Sequence, residues 1–335
     1  MRRAVLPRLI GPRLIVPWLI AFGIALLGGV GAVVALNATV FSSGSFVQLY
    51  TDALARGDMS NALSLPGVHA TGHGGASRPS VALLHDGTLA GLRDIHQIGN
   101  EDRSGTHLIT IGWTSPDGSG TTTFQVKRVG TRFGLFPDWS FAVSPMATVS
   151  LTIENDARFT VNGADEVSGT LASLPVKYAV LVPGAYSFGH TSRYLTAVPD
   201  VVLVDTVSQT LRGTVAIRAN TAFVSTVSTL VNSQLRDCAT QQVLFPTGCS
   251  FGQSLSDRVS GVPKWSIVAP PRLTIVPGTT FGSWAIPATP GTAHLVVSVT
   301  SLFDGTSSEF NQDVPFKVQG DIALGADGSI NVTLR

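Results

Sequence analysis

From Leu14 to Leu36 the chain runs for 23 residues without one charged side chain. At about 1.5 Å of rise per residue, a helix of that length crosses a hydrocarbon core of roughly 30 Å. This stretch therefore constrains the fate of everything around it. Arg2, Arg3, Arg8 and Arg13 precede it, and the next basic residue after it is Arg56. Positive charge stays on the cytoplasmic side, so these four arginines set the orientation: a short tail inside and roughly 300 residues outside. A cleaved signal peptide is the competing reading. Its apolar core is usually about 7–15 residues, well short of this one, although the small residues Val33-Val34-Ala35 and Ala38 leave cleavage open. Gly23, Gly28, Gly29 and Gly31 lie within the span, where small residues permit close helix approach and are also common for no special reason.

The charge balance narrows the function classes. Charged residues make up 13% of the chain and the net charge is +1, so no strong field points to nucleic acid. The two cysteines, Cys238 and Cys249, have ten residues between them. On the outer side of a membrane, such a pair reads as a structural disulfide worth about 2–3 kcal/mol; two free thiols are the alternative, without the CxxC spacing of a redox pair.

Beyond the span, Phe46, Leu49, Tyr50, Ala53 and Leu54 recur at helical spacing. Ser45 is a candidate N-cap, and Arg56-Gly57-Asp58 an ending. Asp58 then opens a short second helix through Leu65, closed by Pro66-Gly67. Strands are expected over 108–113, 121–129 and 131–142, with turns at Pro116-Asp117-Gly118 and Gly130. The middle of the chain reads as short strands (148–153, 158–161, 178–182, 186–188 and 201–207), with Asn162-Gly163 as a hairpin turn. Near the C-terminus a helix carries Phe223, Val227, Leu230, Val231 and Cys238, with Val224 and Leu235 broadening its face. A short helix over 254–259 and strands over 265–268, 272–276, 294–303, 313–318 and 329–334 follow. Two helices followed by an antiparallel sheet, stated twice, is an α+β pattern.

The run FVQLYTDALARGDMSNALSL and the ending F-P-D-W-S resemble the NTF2-like α+β cone domains of bacterial membrane-anchored proteins, with Tyr50, Ala53, Leu54, Gly57 and Asp58 on the family's Y-x-x-A-L-x-x-G-D pattern. The phrases F-T-V-N-G and V-P-G-A-Y-S-F resemble small PEGA-like β-domains of bacterial surfaces. The layout as a whole is similar to extracytoplasmic envelope proteins of Gram-positive, actinobacterial type, distantly TcaA-like. TcaA-like proteins carry a cytoplasmic zinc ribbon, whereas no CxxC precedes this span. The organisation these resemblances imply is a cytoplasmic tail (1–13), a transmembrane helix (14–36), an NTF2-like domain (43–143), a small β-sandwich-like domain (144–213) and a second NTF2-like domain with the disulfide loop (214–335).

Three constellations invite a chemical reading. Gly248-Cys249-Ser250-Phe251-Gly252 fits the G-x-S-x-G nucleophile elbow, and Asp257 and His294 follow in hydrolase order. That elbow needs strand–turn–helix surroundings, and Cys249 is the candidate disulfide partner. His69 and His73 have the i, i+4 spacing of metal ligands on a helix, in a glycine-rich run that disfavours helix. His85, Asp86, Asp94, His96 and His107 form the densest titratable group, of the kind a cone pocket uses for acid–base work. Asp86 precedes Gly87 and Asp94 lies among polar neighbours, however, so turn or surface placements suit both better. None makes a coherent catalytic set. The expectation is a non-catalytic binding or scaffolding protein of the bacterial envelope, with no catalytic, cofactor-binding or metal-ligating residues. Its expected partners are the membrane and a cell-wall component or envelope protein, and not nucleic acid. An enzyme using a cone pocket and an accessory subunit of a membrane complex are the alternatives.

Overall fold

In the computed structural model of the chain, residues 12–69, 78–89, 91–170, 172–325 and 327–335 are described. The molecule is α+β, with an apolar N-terminal helix and a mostly β body. Its described residues divide into two compact units. The first comprises Met1–Thr148, Ala179–Ala185 and Leu203–Thr210; the second comprises Val149–Tyr178, Tyr186–Val202 and Leu211–Arg335. The region 144–213 therefore contributes segments to both.

In the first unit, α1 (Pro12–Ala38) contains an apolar window, Ala21–Ala38, none of which is buried. Leu27 is 74% exposed and Phe22 66%. α2 (Ser43–Ala55) starts at Ser42, whose side chain accepts from the Ser45 amide, so the N-cap lies three residues before the expected Ser45. Its end is the expected one: Arg56 is the C-cap and Gly57 takes a left-handed φ of 71°. Phe46, Val47, Tyr50, Thr51, Ala53 and Leu54 are buried, whereas Leu49 faces out. Asp58 caps α3 (Met59–Ser64) through the Asn61 amide at 3.0 Å.

Four antiparallel strands follow in sequential order: β1 (Arg93–Arg103), β2 (Thr106–Ser115), β3 (Gly118–Arg132) and β4 (Phe136–Phe141). Strand alternation puts Ile109, Ile111 and Trp113 of β2, and Thr122, Phe124 and Val126 of β3, on the buried face. They join α2 and α3 in one core, where the Tyr50 ring meets Phe124 at 5.7 Å and Phe141 at 5.1 Å. β1 was not expected, because its polar run Arg-Asp-Ile-His-Gln lacks an apolar alternation; it is largely exposed. The expected turn at Gly130 is also displaced. Gly130 pairs with Asp138 within the ladder, and the chain reverses at Phe133 and Gly134, both at positive φ.

The middle strands are β5 (Met146–Glu154), β6 (Arg158–Val161), β7 (Ala164–Val167), β8 (Val176–Leu181), β9 (Gly184–Thr191), β10 (Leu195–Val204), β11 (Thr210–Ala216) and β12 (Arg218–Ala219). They form a five-stranded sheet in the order β12-β10-β9-β6-β7 and a three-stranded sheet β11-β5-β8. Asn162 (φ 49°) and Gly163 (φ 88°) make the β6–β7 turn, as two positive-φ residues must in so tight a hairpin.

The second unit ends with α4 (Thr221–Ala239) and a sheet of six strands: β13 (Arg258–Val259), β14 (Lys264–Ala269), β15 (Val276–Pro277), β16 (Trp284–Thr300), β17 (Ser307–Leu324) and β18 (Ile330–Leu334). Phe223, Val227, Val231, Leu235 and Cys238 form the buried face of α4, while Leu230 is 43% exposed. The helix expected over 254–259 is absent. Six residues barely meet the cost of helix nucleation, and Arg258 and Val259 instead pair with Thr300 and Val299. β16 and β17 form one long hairpin that outruns the expected strands 294–303 and 313–318. Pro287, Pro290 and Pro315 interrupt its apolar pattern, and the ladder absorbs the first of them at an irregularity between Ile286 and Thr289.

Candidate functional site

The most distinctive surface of the first unit lies where α1 meets the β3–β4 hairpin. Asn37 Nδ2 donates to the Leu135 carbonyl at 3.0 Å, and the Phe41 and Phe136 rings stack at 4.3 Å. Trp139 Nε1 donates to the Phe41 carbonyl at 2.8 Å. An apolar groove of about 460 Å³ runs between hairpin and helix, lined by Leu26, Gly29, Val30, Val33, Val34 and Leu135. At the hairpin tip Phe133 is 87% exposed, with Leu135 and Val129 more than half exposed. Phe133 holds a φ of 54°, a left-handed conformation that a bulky side chain rarely adopts. Sequence reading missed these residues because it continued the strand through them; the signal was Gly134 inside the apolar run Phe133-Gly134-Leu135-Phe136.

A second, polar hollow of about 280 Å³ lies at the start of α2, lined among others by Ser42, Ser45, Gln48, His96 and Gln97. His96 sits over Gly112 of the next strand, and its Nδ1 donates to the Asp94 carbonyl at 2.8 Å. The rest of the titratable group does structural work elsewhere. Asp86 Oδ1 accepts from the Met59 amide at 3.0 Å, at the start of α3, and His85 Nδ1 donates to the Asp86 carbonyl. Asp94 Oδ2 accepts from Thr114 Oγ1. His107 stands edge-on to Trp139 at 4.8 Å, with Ser43 Oγ 3.3 Å from its Nδ1.

In the second unit a disulfide joins Cys238, at the end of α4, to Cys249. The enclosed loop is held independently of the sulfurs. Gln241 accepts from the Thr247 amide and donates to its carbonyl, Trp265 Nε1 donates to the Val243 carbonyl, and the Phe251 ring meets Trp265 at 4.9 Å. The G-x-S-x-G run straddles the end of this loop, with Ser250 just beyond Cys249, and irregular chain rather than a helix follows it, so the strand–turn–helix that lifts a nucleophile is missing. His294 pairs with Asp313 across β16 and β17 at 2.6 Å, while Asp257 is exposed before β13. No protein-family model, curated protein or solved structure matches this chain.

Among the described residues, no group of three or more His, Cys, Asp or Glu side chains is arranged to hold a metal ion. His69 is described, its backbone bonded to Ser144 Oγ, while His73 lies outside the described residues. So do Arg2, Arg3 and Arg8; Arg13 falls in the first turn of α1. Among the described residues, the one buried side chain of the His, Asp, Glu, Lys and Arg types is His190 of β9, which is 6% exposed. Its Nε2 lies 3.1 Å from Ser192 Oγ. Burial pushes its pKa below the ordinary value against the pull of the Asp156 carboxylate. Asp156 is itself raised by burial, but hydrogen bonds and charge from Arg158 more than reverse this and leave it lowered. Asp156 pairs with Arg158 at 2.7 Å at the start of β6, and His190 is on β9, the neighbouring strand of the five-stranded sheet.

Proposed function

We propose that this chain is a membrane-anchored, extracytoplasmic binding or scaffolding protein of the bacterial envelope, with α1 as its single uncleaved span. The observation that carries this reading is α1 itself: 18 consecutive residues of mean hydropathy 2.0, with large apolar side chains exposed along it. In water that surface would be a severe liability, and in a bilayer it is an asset. The Cys238–Cys249 disulfide supports an oxidising location for the second unit. The envelope setting comes from the NTF2-like and PEGA-like resemblances of the sequence. The non-catalytic half of the reading is supported by what the polar groups do. Asp86 serves a helix start, Asp94 serves a strand bulge, and His294 pairs with Asp313 on a ladder.

Expression of the full chain with a C-terminal epitope in a Gram-positive host tests the anchor. Membrane association should survive alkaline carbonate, the N-terminus should remain in the intact mass, and protease added to protoplasts should destroy the epitope. A shortened product in the medium would identify a signal sequence and refute the anchor. The binding role is tested by co-sedimentation of the full chain, in detergent micelles, with isolated wall sacculi across salt concentrations, and by cross-linking in cells. Saturable sedimentation that survives high salt, or a specific cross-linked partner, supports it; failure of both removes it.

A further inference from the structure

We propose that the tip of the β3–β4 hairpin is a second membrane contact, with Phe133 and Leu135 entering the acyl region of the outer leaflet and lipid chains filling the groove between Leu135 and α1. This rests on the reading of α1 as the span. The hairpin is fastened to the end of that helix by the Asn37–Leu135 hydrogen bond, the Phe41–Phe136 stack and the Trp139–Phe41 hydrogen bond. Its tip therefore sits at a depth set by α1.

The depth follows from helix geometry. Leu36 is the last large apolar residue before Asn37, so it marks the outer edge of the hydrocarbon. At about 1.5 Å per residue, Val33 lies roughly 4–5 Å below that edge and Val30 roughly 9 Å below. Leu135 shares its groove with both. Interfacial elements bury their apolar faces about 5–10 Å into the boundary between headgroups and acyl chains, which is the same depth.

The composition of the tip agrees with lipid as the occupant. Arg128 and Arg132 flank the apolar residues Val129, Phe133 and Leu135 along the chain, and the first acid along the hairpin, Asp138, lies 3.6 Å from Arg132. Basic side chains at headgroup level with aromatics just beneath is the arrangement that anionic bilayers favour. Trp139 and Phe41 then fall in the aromatic belt. An 87% exposed phenylalanine held in left-handed backbone has no packing role in the unit that carries it. In a leaflet it gains one.

The test uses the full chain in vesicles of phosphatidylcholine and phosphatidylglycerol. The disulfide keeps the native sulfurs unreactive, so Phe133→Cys and, separately, Leu27→Cys can carry an environment-sensitive fluorophore. Lipids with nitroxides at shallow or deep positions, and aqueous iodide, serve as quenchers. Shallow-nitroxide quenching at position 133 several-fold stronger than iodide quenching, with deep quenching at position 27, is the expected result. Iodide quenching at 133 with lipid quenching at 27 overturns the proposal and leaves the anchor standing. Iodide quenching at both removes the anchor reading and this proposal with it. Protection of 133 from both quenchers means that protein covers the tip, and also overturns the proposal.

Discussion

Replacing both Cys238 and Cys249 with alanine should destabilise the second unit by about 3 kcal/mol. The two cysteines are 11 apart in sequence, and in the chain-entropy model a loop of that length restricts the unfolded chain by about 2.8 kcal/mol at 25 °C. Whether the cost exceeds that figure depends on what else holds the loop. Two hydrogen bonds between Gln241 and Thr247, the Trp265–Val243 hydrogen bond and the Phe251 ring against Trp265 and Phe316 all remain in the variant. The folded loop should therefore persist, and the loss should act through the unfolded state. Truncating Cys238, which is 4% exposed, adds less than about 1 kcal/mol of lost packing. For a unit of this size, 3 kcal/mol corresponds to a fall of roughly 6–12 °C in Tm. Scanning calorimetry of the full chain in detergent micelles, with and without reductant, measures it. Wild-type protein should fall by a similar amount in reductant, and the double variant should not respond. A shift below about 2 °C, or a response of the cysteine-free variant to reductant, would refute the reasoning.

Tyr50→Phe should destabilise the first unit by about 1–3 kcal/mol in a urea titration, because the hydroxyl donates to the buried carbonyls of Pro145 and Val182 at 3.1 and 2.8 Å. Gly67→Ala should cost more than about 1 kcal/mol in the same assay: Gly67 holds a φ of 86°, and an added Cβ would press on the Phe141 carbonyl and sit 2.7 Å from its amide nitrogen. The His190 pKa is lowered on folding, so the unfolded chain binds the proton more readily, and stability should fall as pH drops below the ordinary value of 6.5. Asp156, also lowered, contributes stability above its ordinary value of 3.8 that is lost at more acidic pH. His190→Gln should flatten the first of these losses in denaturant midpoints measured between pH 5 and 7, and an unchanged slope would contradict the assignment.

Some of this molecule is written in local sequence. The apolar run ahead of Asn37 makes a helix with no polar face, since nothing within it offers one. Gly57, Asp58, Asn162 and Gly163 mark their turns and caps because the backbone there requires what those residues supply. Other features depend on partners distant in the chain. β1 is too polar to announce itself and exists through its ladder with β2. β16 and β17 carry prolines that read as breaks, yet each strand holds the other across them. Leu49 and Leu230 look like core residues on a helical wheel and face out, because burial is set by where the opposing sheet lies rather than by periodicity. The titratable group around His85 to His107 is close in sequence, and folding sends its members to separate duties. The sequence by itself determined a long apolar helix, a cysteine pair, the helices that became α2, α3 and α4, and part of the strands. Only the tertiary structure decided that Phe133 and Leu135 stand exposed beside that helix, because a hairpin tip acquires a neighbour only when its strands are in register and their sheet is fastened to another element.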